Sequence, residues 1–309
     1  MSRSKLTRLT IGAESYDPAG SPYQSLLFSQ FAPNNKQQQF DIGRDLGGFG
    51  LLSHPVDITR QNVRTVAPRG RFKPSLSEWG TLLPWVLNCA RTSGGGTDTF
   101  APATVAKVRF LEYTDVNAVI HRLLGCAVSK AVVSAQAGGE VVLDLEVQGT
   151  DWTNPGGTTY PGPPLDTRFL FGDLGLLLNG TATPCRSVRL TIDHAIKNDR
   201  FYSGFVSAGP LNLDRVVTLQ MEIPHGLAVA ARNAGAVDGG IPAVLTFTGV
   251  QYGVTSRLVW TLPAIRYEQP SPDANVPDEQ MVSVEAQCFA PTVAGALAAE
   301  VVAALTPIV

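Results

Sequence analysis

Apolar and polar residues alternate with a period of two in several separate stretches of the chain. In 141–148, Val141, Leu143, Leu145 and Val147 fall on one face, and Asp144, Glu146 and Gln148 on the other. The runs Val188 to Asp193, Val217 to Ile223 and Val282 to Gln287 repeat the pattern. Successive side chains of a strand point to opposite sides, so these runs predict strands with one packed and one wet face, as in antiparallel sandwiches or barrels. Leu176-Leu177-Leu178 running into Asn179-Gly180 predicts a hairpin, because both residues tolerate the positive φ of a tight turn.

The helical period occurs in few places. Ser75 and Glu78 have capping-box spacing, and Leu76, Trp79, Leu83 and Val86 follow on one face. Pro84 is expected to kink or interrupt this helix, since its ring displaces a backbone hydrogen bond. The Ala-rich run His225 to Val237, stopped by Asp238-Gly239-Gly240, predicts a second helix. Val293 to Leu305, before Pro307, predicts a third.

Two stretches read as loops. Asn34 to Pro55 is polar and then glycine-rich at Gly43 and Gly47-Gly48-Phe49-Gly50, and a loop of this length in a compact domain is usually functional. Asp151 to Asp166 holds Pro155-Gly156-Gly157 and Pro161-Gly162-Pro163-Pro164, a semi-rigid linker. It separates two halves that read alike, 1–150 and 167–309. Phe72-Lys73-Pro74 before the first helix matches Glu222-Ile223-Pro224 before the second. Arg122-Leu123-Leu124 matches Arg257-Leu258-Val259, Phe110 matches Phe247, Ser25 to Phe28 matches Ser187 to Leu190, and Val141 to Gln148 matches Met281 to Cys288. An internal duplication is the expectation.

Composition narrows the classes. Of 309 residues, 44% are hydrophobic and only 16% charged, against about 25% charged in an average domain. With 30 Gly and 22 Pro, this suits a turn-rich β protein whose surface is later covered by copies of itself. The net charge of −2 and the absence of Lys/Arg runs argue against phosphate-driven nucleic-acid binding. No apolar run approaches the roughly 20 residues of a membrane-spanning helix, and Met1 to Leu9 lacks a signal-peptide core. Cys89, Cys126, Cys185 and Cys288 show no zinc-site spacing and read as free thiols of a protein made in the cytosol.

Chemistry-bearing motifs are scarce. Walker, HExxH, GxSxG and CxxC patterns are missing, and no cofactor or metal is expected. Gly47-Gly48-Phe49-Gly50 reads as a turn rather than a phosphate loop. Asp193-His194 could orient an imidazole base at a strand end, but no nucleophile accompanies it, and a polar strand-end pair is the preferred reading. Asp144 and Glu146 sit where solvated charges usually do. Asp41, Asp45 and Asp57 lack calcium-loop spacing. Other classes considered are an oligomeric receptor- or carbohydrate-binding adhesin, which would call for clustered aromatics, and a hydrolase built around His194.

Leu176 to Gly180, followed by Arg186 to His194 and Asp199-Arg200-Phe201, resembles the second half of bacteriophage tail tube proteins. Arg69 to Ser75 with Trp79 and Leu82-Leu83 resembles the strand-into-helix step of their first half. The resemblance runs from about Gln24 to Ala290. It implies an all-β sandwich with a few short helices, here in two tandem copies, whose sheets join those of neighbours into a ring-wide β-barrel. It further implies stacked rings in the virion tail around a tape measure protein, tail completion and tip proteins as neighbours, and double-stranded DNA passing through the lumen without specific binding. Rings would be trimers or hexamers of the chain. On this reading Asn34, Gly43, Arg44, Gly47, Gly48, Phe49 and Gly50 belong to a ring-stacking loop.

Overall fold

The computed structural model describes residues 8–12, 22–41, 59–94, 97–101, 105–115, 117–156, 162, 168–197, 211–212, 215–234, 240–251, 254–268, 280–289 and 302–306. The first half of the chain supplies β1 (Arg8–Gly12), β2 (Pro22–Ser25), β3 (Phe28–Ala32), β4 (Asn35–Asp41), β5 (Thr59–Val66), β6 (Arg69–Phe72), the helix α1 (Leu76–Val86), β7 (Thr92–Gly94), β8 (Thr97–Phe100), β9 (Arg109–Thr114), β10 (Ile120–Gln136), β11 (Val142–Gln148) and β12 (Asp151–Thr153). The second supplies β13 (Leu174–Leu178), β14 (Thr181–Ala182), β15 (Ser187–Asp193), β16 (Ile196–Lys197), β17 (Leu211–Asn212), β18 (Val216–Pro224), α2 (His225–Ala234), β19 (Ile241–Gln251), β20 (Val254–Arg266), β21 (Met281–Cys288) and β22 (Val302–Thr306).

All ladders are antiparallel. The longest sheet runs β3-β6-β11-β10-β15-β18-β21-β20, with four strands from each half. Facing layers are β2-β1-β9-β10-β12 and β14-β13-β19-β20-β22-β8-β7. The described ladders form an open network, and the sheet does not close on itself in one chain. Their buried faces meet in one hydrophobic cluster that draws on both halves, from Leu9 and Phe72 to Trp260 and Val284. The alternating runs behave as expected: β11, β15, β18 and β21 each bury every second side chain. Asn179 (φ 49°) and Gly180 (φ 77°) make the predicted hairpin turn between β13 and β14.

The pairing scheme is repeated. In the first half β1 pairs with β2 and β9, β3 with β6, β4 with β5, β6 with β11, β11 with β10, and β10 with β9 and β12. In the second half β13, β14, β15, β16, β17, β18, β19, β20, β21 and β22 take the same places in the same order. Registers agree in detail: Arg122 faces Thr153 and Arg257 faces Thr306, while Phe72 faces Leu143 and Glu222 faces Ser283. One correspondence moves. Phe28 faces Phe72 as Ser187 faces Glu222, so Phe28 matches Ser187 rather than Leu190.

β10 serves both layers. Its register shifts between Leu123 and Cys126, where Gly125 takes φ 58°, a backbone conformation that glycine adopts without a Cβ clash. Up to Cys126 it pairs with β9 and β12, and from Ala127 onwards with β11 and β15. β20 makes the same change of layer around Pro263.

α1 begins as the capping pattern predicts: the Ser75 amide donates to the Glu78 carboxylate at 2.7 Å. It continues through Pro84 to Val86, so the proline lies inside the last turn rather than ending the helix. Its buried face is broad: Trp79, Leu82, Leu83, Trp85 and Val86 are all fully buried, while Ser77 is exposed and Gly80 and Thr81 are half-buried. α2 is the second predicted helix, and residues 235–237 of that run lie outside the described residues.

Three expectations need correction. The C-terminal helix does not extend to Leu305: Val302–Thr306 is a strand between β20 and β8, where two ladders outweigh alanine's helix propensity. The start of the Asn34 to Pro55 loop is a strand, since Asn35–Asp41 pairs with Thr59–Val66. The first three residues of the 151–166 linker form β12.

Candidate assembly surface

β3 and β15 hold equivalent places, yet only one is covered on both sides. β15 pairs with β18 on one edge and with β10 on the other, from Lys130 opposite Asp193 to Gln136 opposite Ser187. β3 pairs with β6 alone among the described residues, and Ser29, Gln30 and Ala32 are exposed. An unpaired strand edge presents a row of amides and carbonyls that can template another strand.

The wet face of the long sheet carries interleaved charges. Arg71 lies 3.6 Å from Asp144 and Arg69 3.4 Å from Glu146, and Lys130 registers between Glu146 and Asp193. Arg186 meets Glu222 at 3.2 Å. Glu140 accepts from Lys73 and from Arg168, and these bonds hold its carboxyl below the usual range. Partial burial pushes the Asp144 carboxyl up, outweighing the pull of Arg71 and Arg189. Among the described residues, the cations of this face lie beside carboxylates.

Of the proposed stacking residues, Asn34 lies where β3 turns towards β4, with φ 45°. Its side-chain amide donates to the Ala67 carbonyl at 3.2 Å, tying the base of the β4–β5 hairpin. Gly43, Arg44, Gly47, Gly48, Phe49 and Gly50 lie outside the described residues. Nearby, Arg64 bonds the Asp151 carboxylate at 2.7 Å and lies 5.1 Å over the Trp152 ring, while Asp151 also takes the Trp152 amide at 2.8 Å.

His194 is fully buried rather than poised in a cleft. Its Nε2 donates to the Val86 carbonyl at 2.6 Å, and Nδ1 lies 3.3 Å from the Asn88 side-chain amide. Burial above all pulls its pKa down to about 4. A neutral imidazole that ties the end of β15 to the end of α1 is a structural joint. Cys89, Cys126 and Cys288 are buried and Cys185 half-buried, all as free thiols, and burial pushes the Cys126 thiol up.

Sequence reasoning missed the β3 edge. The contrast between the helices was visible as Trp79, Leu82 and Leu83 in one against Val229, Arg232 and Asn233 at matching places in the other.

A two-layer antiparallel fold with an uncovered strand edge and a charge-balanced face defines a structural assembly protein. The model of the phage tail tube protein family matches residues 63–288, so the chain belongs to that family and is a structural component of the virion tail tube. The search of curated proteins gives no match.

Proposed function

We propose that the chain builds the tube wall as rings of three copies, each supplying two tube units, residues 1–150 and 167–309, joined by the segment 151–166. The observation that carries this reading is the β10–β15 ladder, which fuses two equally wired four-stranded sheets edge to edge within one chain. The second half then offers the β3 edge of another copy the place that β10 offers β15. Repeated three times, this junction closes a wall of backbone ladders.

In this arrangement the wet face of the long sheet lines the lumen, where its paired charges let the tape measure protein and then DNA pass without specific binding. The β4–β5 hairpin, with Asn34 at its base and Gly43, Arg44, Gly47, Gly48, Phe49 and Gly50 in the following segment, contributes to stacking between rings. Tail completion and tip proteins meet the ends of the tube, and assembly takes place in the host cytoplasm. The role is mechanical and calls for no catalysis.

Mass per ring tests the reading. Three times 32.9 kDa is about 99 kDa, and six chains give about 197 kDa. Mass-per-length microscopy on assembled tubes, or a reconstruction without imposed symmetry, separates the two. A ring of six identical chains refutes the threefold arrangement.

A further inference from the structure

The repeated wiring covers α1 and leaves its counterpart bare. In α1 the face formed by Leu76, Trp79, Leu82 and Leu83 is buried. The helix lies against β22 and β8, and Trp79 meets Trp260 edge-on at 6.2 Å. Through β22 and Trp260, elements of the second half cover a helix of the first. Matching Phe72-Lys73-Pro74 to Glu222-Ile223-Pro224 carries those four positions onto Gly226, Val229, Arg232 and Asn233 of α2. There Gly226, Arg232 and Asn233 are exposed and Val229 is half-buried.

The element that would cover α2 is also identifiable. β12 occupies in the first half the place that β22 occupies in the second. Its Asp151, Trp152 and Thr153 are half-exposed, and the Arg64–Asp151–Trp152 cluster holds the strand in a set shape. Six residues separate α2 from β19, too few for a β7–β8 insertion, so among the described residues β12 pairs with β10 alone, whereas β22 is flanked by β8.

We propose that α2 of one copy seats on β12 of a second copy, as α1 seats near β22 within a chain, with Arg232 directed to the strand that carries Asp151 and Trp152. This rests on the ring reading above and names its second contact, outside the joined sheets. Continuity with the intrachain junction argues for a second copy as the occupant. The two helix faces differ in chemistry: indole and leucine on α1, small and polar residues on α2. The α2 face therefore exposes no large apolar patch on a free copy.

Cysteine cross-linking tests the contact. In a Cys185→Ser parent, Asn233→Cys on α2 and Asn154→Cys at the exposed end of β12 are joined by a short bismaleimide after assembly at high protein concentration. Covalent dimers and trimers in the assembled fraction, with loss of both on dilution to the free chain, are expected. Rings that yield no covalent link overturn the contact alone. Absence of rings or tubes from the parent overturns the ring reading and the contact with it. Should the cysteines impair folding, Arg232→Glu changes an exposed side chain: it is expected to leave the thermal melt of the free chain unchanged and abolish tubes. Normal tubes from this variant refute the proposal.

Discussion

Acidification should loosen the joint between the two halves through His194. The imidazole is neutral because charging it inside the protein means losing water, and Arg215 adds to that cost, while Asp193 and the Val86 carbonyl oppose it. Its pKa falls from 6.5 to about 4 on folding. A depressed folded value means that the unfolded chain takes up the proton first. The stabilisation is fully present above pH 6.5, declines as the pH falls, and is gone below about 4. At 1.36 kcal/mol per pH unit this interval corresponds to about 3 kcal/mol, a large part of a domain's net stability. Urea unfolding of the free chain between pH 7.5 and 4, for wild type and for His194→Gln, isolates the contribution. Glutamine can still donate to the Val86 carbonyl but does not titrate. The variant is expected to start less stable and to lose about 3 kcal/mol less than wild type across the interval. Parallel pH profiles, or a His194 NMR titration near 6.5, would refute the reasoning.

Trp260→Ala should cost about 3–5 kcal/mol in urea unfolding, because Trp260 and its partner Trp79 are both fully buried. The buried pair Glu112 and Arg122 should show strong coupling: Glu112→Leu alone is expected to cost about 3–5 kcal/mol, and adding Arg122→Met to recover most of it in a double-mutant cycle. Glu78→Ala removes the acceptor of both the Ser75 and the Leu27 amides, the latter at 2.5 Å, and should lower stability by about 3 kcal/mol, whereas Glu78→Gln should recover part of that loss.

The strands were legible because their two faces meet different surroundings: Leu143, Leu145 and Val147 pack inwards while Asp144 and Glu146 face water, and that contrast is written in residue type. α1 was legible through Ser75 and Glu78, although the breadth of its buried face, signalled by Leu82 and Trp85 as well as Leu76 and Trp79, was not drawn from the pattern. β22 was not legible. Val302 to Thr306 is mostly alanine and valine, compatible with either period, and only the neighbouring β20 and β8 decide its conformation. β4 was hidden for a similar reason: Asn35 to Gln39 is uniformly polar, so no alternation marks it as a strand. His194 and Asp193 were correctly read as a strand-end pair, but the partners of His194, Val86 and Asn88, lie over a hundred positions away and leave no local trace.

The 17-residue strand β10 belongs at once to both layers and to the junction of both halves. A tube that conducts a stiff cargo is loaded from within, and the wall must resist circumferential tension. In the proposed ring that tension runs across the strands of β10, through seven successive register positions with β15 and a matching row with β11. Such a seam yields only when many backbone bonds fail together, whereas the bend at Gly125 anchors the same strand in the facing layer and keeps it from peeling from one end. Three copies of two linked units would then leave half as many seams between chains as six separate units.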